Sequence, residues 1–169
     1  MDPLIDEKFV LSIARVTPEF FKQTVQIDVT LEAYGPSKNE GFCYENAVAV
    51  DFFGEMEGRL VVGLDGYTKL KLFPYIARKY KIDPTIRSHS SSIIMEFANQ
   101  ILGEIVQEMK LGRFEIDIRS PENLDHKLVP VNLESCRQYA MIYFLKDNLK
   151  KEYLGRLYMI LLLKKYLLQ

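Results

Sequence analysis

Cysteine is scarce in this sequence and tryptophan is missing, since its 169 residues include two cysteines and no tryptophan. Two cysteines, Cys43 and Cys136, are too few for a disulfide framework, so we expect free thiols in a reducing compartment. The longest apolar run, residues 157–163, has seven residues, whereas a membrane-spanning helix needs roughly 20. The first seven residues carry acid where a signal peptide has a basic segment. We therefore expect a cytoplasmic protein without membrane insertion.

An excess of charge of either sign is also missing. Lysine and arginine number 22 and aspartate and glutamate 23, which gives a formal net charge of −1. Such a chain has no long-range field to attract nucleic acid, which we exclude as a partner. The two histidines, His89 and His126, lie far apart and lack cysteine or acidic neighbours at metal-ligand spacing. We therefore expect neither a metal site nor a cofactor that belongs to this chain.

The composition is that of a packed domain, because 48% of the residues are hydrophobic and 27% are charged. We predict one domain over residues 1–169. Apolar spacing predicts a first helix over residues 5–16, and Thr17-Pro18-Glu19 is typical of the start of a second, short helix. Alternating apolar residues predict a strand from Thr24, and a cluster of turn residues, 35–39, is expected to end it.

The middle of the chain predicts two strands joined as a hairpin, over residues 47–53 and 59–64. A helix is expected over residues 67–80, with Pro74 placed to kink or shorten it. Asp83-Pro84 has the character of another helix start. A long helix is predicted to cover at least residues 92–110.

Further strands are predicted toward the end of the chain, over residues 114–118, 129–133, 138–145 and 156–163. Two short sequence matches relate the halves of the chain: QIDV at residue 26 with EIDI at 115, and GRLV at 58 with GRLY at 155. Each half then runs helix, strand, strand, strand, with an extra helix between them. This order predicts an α+β fold with long helices packed on a largely antiparallel sheet, and an internal repeat over approximately residues 5–64 and 84–163.

Polar residues form one narrow stripe on the long helix, opposite its broad apolar face. Ser92, Glu96, Asn99 and Gly103 fall on that stripe at about 100° of rotation per residue. A carboxylate and a carboxamide one turn apart are therefore expected to point the same way into solvent. Gly103 is unusual in a helix interior, where glycine costs about 1 kcal/mol relative to alanine. We interpret it as a place where a partner or a neighbouring backbone comes close.

These residues resemble the signature of the CheC/CheX/FliY family, phosphatases of the phosphorylated chemotaxis response regulator CheY. The family pattern is Asp or Ser, three residues, Glu, two residues, Asn, about 22 residues and Pro. The sequence has Ser92, Glu96 and Asn99, followed by 21 residues and Pro121, one residue short of the usual spacing. The turn at residues 54–60 and the repeated order of elements are also similar to this family, so the resemblance covers roughly residues 5–165.

The resemblance implies one active site, on the long helix. Alignment of the halves on Asp28 and Asp117 sets Glu7 against Glu96 but Val10 against Asn99, so the first helix lacks the carboxamide. A single site is the pattern of the CheX class within this family. CheX proteins are homodimers, and the resemblance therefore implies a homodimer here.

The resemblance further implies that the substrate is the aspartyl phosphate of a CheY-type receiver domain. We expect Asn99 to orient the attacking water, Glu96 to pair with the receiver's lysine, and Mg²⁺ to be supplied by the receiver. Ser92, Gly103 and Pro121 would support docking. The alternative is an inactive module that binds a receiver or a flagellar-switch protein. An unrelated hydrolase with Glu96 as general base ranks last, because no nucleophile or histidine partner accompanies it.

Overall fold

The computed structural model describes residues 3–112 and 114–165, with the backbone alone for residues 3–5. Within them the helices are α1 (Pro3–Val25), α2 (Gly66–Lys79) and α3 (Ser90–Leu111), and a 3₁₀ turn covers Arg87–His89. The strands are β1 (Asp28–Ser37), β2 (Gly41–Phe42), β3 (Asn46–Gly54), β4 (Gly58–Leu64), β5 (Ile116–Ile118), β6 (Glu122–Asn123), β7 (Val129–Pro130), β8 (Cys136–Asp147) and β9 (Glu152–Lys164).

One antiparallel sheet forms the centre of the protein. Its strands lie in the order β1-β8-β9-β4-β3-β5, and β6 pairs with β3 beside β5. The short strands β2 and β7 pair separately. The predicted α+β class, with long helices on a largely antiparallel sheet, is confirmed.

The two faces of the sheet are covered differently. The helices pack on one face, where aromatic side chains fix α3 against α1: the ring of Phe97 lies 5.2 Å from that of Phe20 and 5.3 Å from that of Phe21. A smaller apolar cluster covers part of the other face, and it includes Phe42, Val61, Leu124, Val131 and Ile160. The long helices therefore lie together on one side, and α3 is held there by its buried face.

The prediction of two helices before β1 was wrong, because α1 runs without a break through Pro18. The hydroxyl of Thr17 donates to the carbonyl oxygen of Ile13 at 2.9 Å, so Thr17 bonds back along the helix instead of capping a new one. Phe9, Ile13 and Phe21 are fully buried. Burial of one apolar face across both segments outweighs the loss of the single hydrogen bond that a proline nitrogen cannot donate.

Several predicted boundaries also differ from the structure. The strand starts at Asp28, after Gln26 with a φ of 58°, and continues through the expected turn because residues 35–37 pair with β8. Asp83 accepts from the backbone nitrogen of Thr85 at 2.9 Å, which makes a turn, and α3 begins only at Ser90. The predicted strands at 114–118 and 129–133 are shorter, as β5 and β7.

The strand order has an internal symmetry. If β1, β3 and β4 are exchanged with β5, β8 and β9, the order of strands reads the same from the opposite edge. Matching Gly58 with Gly155 sets Val62 against Met159, and these two residues lie directly opposite each other in the β4–β9 pair. This symmetry supports an internal repeat, which stays a prediction.

Candidate functional site

The residues predicted to form a site lie on α3, whose apolar face fixes the helix orientation. Nine of its residues are buried against the sheet and the other helices: Ile93, Ile94, Phe97, Ala98, Ile101, Leu102, Ile105, Val106 and Met109. At about 25 cal/mol per Å² of apolar surface, this burial is the main stabilising contribution of the helix. The opposite face must therefore point outward, and it cannot rotate without exposing the core.

The structure brings Ser92, Glu96, Asn99 and Gly103 together on that outward face. Ser92, Glu96 and Gly103 are exposed, whereas Asn99 is half-buried. Asn99 is less exposed than the pattern predicted because it borders the buried face: around the helix axis it lies about 20° from Val106, which is 3% exposed. Its carboxamide is therefore partly screened from solvent on one side and accessible on the other.

Two hydrogen bonds connect the stripe to helix α2. Nε2 of Gln100 donates to Oε1 of Glu96 at 3.3 Å. Nζ of Lys79, at the end of α2, donates to Oε1 of Gln100 at 3.0 Å. Asn99, by contrast, has no hydrogen-bond partner for its side chain among residues 3–112 and 114–165. The carboxylate is held by its neighbours, and the carboxamide keeps its donors and acceptor for another molecule.

Three aromatic rings lie near the Lys79 end of this chain of hydrogen bonds. Nζ of Lys79 lies 5.4 Å from the ring centre of Tyr80, 5.6 Å from that of Phe20 and 5.9 Å from that of Phe97. The hydroxyl of Tyr80 is buried and has no partner among the described residues. Burial raises the pKa of Tyr80, and the negative charge of Glu96 raises it further.

Sequence reasoning missed Gln100 and Lys79. A signal existed for Gln100, since it lies four residues after Glu96 on the same helix, where side chains of this kind can hydrogen bond. For Lys79 no local pattern exists, because it reaches Gln100 only through the packing of α2 against α3.

Packing within the described parts of the chain does not explain the glycine in the stripe. A Cβ atom placed on Gly103 would meet nothing within 4 Å among the described residues. Of the two explanations for this glycine, a neighbouring backbone is therefore wrong as far as residues 3–112 and 114–165 are concerned. A groove of about 580 Å³ between α1 and α3 begins at Gly103 and is also lined by Gln100, Glu104 and Phe20. The approach of another molecule at Gly103 stays a prediction.

Pro121 lies on a different element from the stripe. It is exposed, in the connection between β5 and β6, and the next residue pairs with Ala49 of β3.

The first helix does not reproduce the stripe, because Val10, the position matched to Asn99, is only 8% exposed. Glu7, the position matched to Glu96, is exposed.

Among the described residues, no group of three or more histidine, cysteine, aspartate or glutamate side chains lies close enough together to hold a metal ion. No helix in the same part of the chain is both long and apolar enough to cross a membrane.

The fold is that of a family of chemotaxis phosphatases, and the stripe on α3 stays a predicted site. A model of the family described as chemotaxis phosphatase CheX matches residues 47–145, more than half of the chain. The chain therefore belongs to the CheX family. A search of curated proteins found no relative that matches it.

Solved structures of this family share the fold of the chain. The CheX structure from Desulfovibrio desulfuricans has a TM-score of 0.68 at 12% identity, and the match covers 92% of this chain and 99% of that one. CheX from Vibrio vulnificus has a TM-score of 0.68 at 13% identity, covering 91% and 97%. The CheX–CheY–BeF3–Mg²⁺ complex from Borrelia burgdorferi matches with a TM-score of 0.60 at 14% identity, covering 94% and 98%.

Proposed function

We propose that this protein is a phosphatase that hydrolyses the aspartyl phosphate of a CheY-type receiver domain in chemotaxis signalling. The observation that carries the proposal is the outward-facing pair on α3. It comprises a carboxamide, Asn99, without a partner among the described residues, and one turn before it a carboxylate, Glu96, held by Gln100. The membership of the CheX family and the fold shared with a CheX–CheY complex support the same substrate.

Asn99 orients the attacking water in this proposal. Hydrolysis of an aspartyl phosphate needs a water molecule in line with the bond that breaks, while the receiver's lysine and Mg²⁺ stabilise the charge on the phosphoryl group. The carboxamide oxygen accepts a hydrogen bond from that water, and the NH₂ group donates to an oxygen nearby. Because α3 is held by its buried face, the backbone that carries Asn99 is already in place when the receiver docks, which lowers the entropy cost of the reaction step.

Glu96 fixes the approach of the receiver by pairing with the receiver's lysine. It is exposed, and only its Oε1 is engaged within the described chain. The other oxygen, Oε2, is therefore placed to accept a hydrogen bond from an ammonium group. Ser92 would add a hydrogen bond at the start of the stripe, and Pro121 would contact the receiver from the β5–β6 connection.

Membership of the CheX family supports three further features of the proposal. The protein acts in the cytoplasm as a homodimer, and its reaction uses the Mg²⁺ ion of the receiver and no cofactor of its own. The alternative is a module that binds a receiver or a flagellar-switch protein without hydrolysis. The availability of the Asn99 carboxamide favours the enzyme, because a module that only binds has no use for an oriented water.

A phosphate-release assay tests the function. CheY phosphorylated by a small-molecule phosphodonor is separated from the donor, and its loss of phosphate is followed with and without the protein. Faster loss that scales with protein concentration is expected. Binding to CheY loaded with Mg²⁺ and beryllium fluoride, without faster loss, would support the module instead. If the protein neither binds CheY nor accelerates the loss of phosphate, both functions are excluded for CheY.

Gly103→Ala separates stability from docking. The substitution is expected to raise the free energy of unfolding by about 1 kcal/mol, because alanine is the better helix former and its methyl group meets nothing in the described chain. If the receiver comes close at Gly103, the same substitution raises KM for phosphorylated CheY. Urea unfolding and the phosphate-release assay measure the two effects. A more stable protein with unchanged KM would remove Gly103 from the docking surface.

A further inference from the structure

We propose that Lys79 and Gln100 are positioning residues that hold the Glu96 carboxylate in the orientation in which it meets the receiver. The inference rests on the proposed function and adds two residues from outside the family signature. It is carried by a continuous line of contacts from helix α2 to the stripe on α3, in which Lys79 donates to Gln100 and Gln100 donates to Glu96.

Gln100 restricts the freedom of Glu96. An exposed glutamate side chain populates many rotamers, and fixing it upon docking costs side-chain entropy. The bond from Nε2 of Gln100 to Oε1 of Glu96 selects one orientation before the receiver arrives. Because Oε2 has no bond within the described chain, this orientation still offers one oxygen to the receiver's lysine. Part of the side-chain entropy of Glu96 is thus already lost in the free protein, so less is lost when the receiver docks.

Lys79 sets the orientation of the Gln100 amide. A glutamine amide can present either its oxygen or its NH₂ group to a neighbour, and only the NH₂ group can donate to a carboxylate. Lys79 removes this ambiguity because Nζ donates to Oε1 of Gln100 at 3.0 Å, which directs the NH₂ group toward Glu96. Lys79 determines which end of the amide faces the site.

Three aromatic rings hold Lys79 in place. Its ammonium group lies within 6 Å of the ring centres of Phe20, Tyr80 and Phe97, an arrangement in which each ring face attracts a cation. Phe97 belongs to α3 and is 2% exposed, so part of this support is rigid. The hydroxyl of Tyr80 is buried without a partner in the described chain, and the charge of Glu96 acts on it. Helix α2 thus supports Glu96 through its last residue and the residue that follows.

The test compares substitutions that remove each contact but preserve the side chain's bulk. Gln100→Leu is expected to raise KM for phosphorylated CheY by about threefold to tenfold and to leave kcat within about twofold. Lys79→Met is expected to raise KM by a smaller factor. Lys79→Arg should keep KM close to the wild-type value, because a guanidinium also donates hydrogen bonds and stacks on aromatic rings. Asn39→Leu is the control for the same change of an amide to an apolar side chain, since Asn39 is exposed in the loop after β1, outside α3 and the groove beside it.

A double-mutant comparison shows whether Gln100 acts through Glu96. In a Glu96→Ala background, Gln100→Leu is expected to change KM no further, whereas a general loss of helix stability would act in both backgrounds. The dissociation constant for CheY loaded with Mg²⁺ and beryllium fluoride gives the same comparison without turnover. An effect of Gln100→Leu that equals that of Asn39→Leu, or that persists without Glu96, would overturn the inference.

The binding measurement also separates this inference from the proposed function. If the wild type binds the loaded receiver but does not accelerate phosphate loss, the catalytic proposal fails. A larger Kd for Gln100→Leu than for the wild type would still support the positioning role. If the wild type does accelerate phosphate loss and the Gln100→Leu variant has the wild-type KM and Kd, only the positioning role fails. A wild type that neither binds nor hydrolyses overturns both.

Discussion

Asn99→Ala is expected to reduce the acceleration of phosphate loss by about 100-fold or more, leaving the receiver close to its spontaneous rate. The substitution removes the one group proposed to orient the attacking water, and an oriented donor or acceptor at the reacting atoms is worth several kcal/mol of barrier. Rates of phosphate release from phosphorylated CheY, measured at equal concentrations of wild type and variant, check this result. Equal rates for the two proteins would exclude Asn99 from catalysis.

The fold should tolerate the loss of the Asn99 carboxamide. The side chain is half-buried and makes no hydrogen bond within the described residues, so alanine leaves no buried group unpaired. The free energy of unfolding is therefore expected to stay within about 0.5 kcal/mol of the wild-type value. Asn39→Ala is a suitable control, because Asn39 is an exposed asparagine in the loop after β1. It should leave both the rate and the stability unchanged.

Asn99→Asp distinguishes the two halves of the carboxamide. Aspartate keeps an oxygen that can accept from water but loses the NH₂ donor and adds a negative charge next to the phosphoryl group. If Asn99 acts as proposed, this variant is expected to be as slow as Asn99→Ala and also to bind the loaded receiver more weakly, because like charges repel. Activity close to that of the wild type would show that an acceptor oxygen alone is sufficient.

The features predicted best from the sequence were those with a local cause. The stripe on α3 followed from helical periodicity, because nine apolar residues determine which face is buried. The hairpin of β3 and β4 followed from two short, mainly apolar segments on either side of a glycine-containing turn. In both cases the residues that set the structure lie within one element or one turn.

The features that were wrong or missed depend on contacts between distant elements. Pro18 and Thr17 have the local character of a helix start, but a buried face shared by both segments keeps α1 continuous. Likewise, Gly35 and Pro36 are typical turn residues, and pairing with β8 nevertheless extends them as a strand. Lys79 lies 21 residues before Gln100, and only the packing of α2 on α3 brings the two together.

Gly155→Ala is expected to destabilise the protein by about 3 to 5 kcal/mol, the largest effect that we predict for stability. Gly155 has a φ of 114°, a conformation that side chains with a Cβ atom rarely adopt. An alanine there would also place its Cβ atom 2.7 Å from Cβ and 2.9 Å from Cα of Thr68. Thr68 is fully buried on α2. Helix α2 and strand β9 therefore cannot separate to make room for the methyl group without opening the core.

The local hydrogen bonding makes this contact harder to relax. Oγ1 of Thr68 accepts from the backbone nitrogen of Arg156 at 2.9 Å, and the β8–β9 register shifts between Leu145 and Lys146, directly opposite Gly155. A methyl group would push on the same threonine that accepts this bond. Gly155→Ser is expected to be at least as destabilising, because its Cβ atom meets the same backbone.

Urea unfolding followed by circular dichroism measures the effect, and Gly103→Ala is the matched control. The two variants carry the same chemical change, yet an added Cβ meets nothing within 4 Å at Gly103 among the described residues. Opposite signs are therefore expected, with Gly103→Ala more stable than wild type and Gly155→Ala far less stable. If Gly155→Ala loses less than about 1 kcal/mol, the tight approach of β9 to α2 is not needed for folding. The register of β9, which fixes the sheet on which α3 lies, would then have to be set by the β4 and β8 pairings alone.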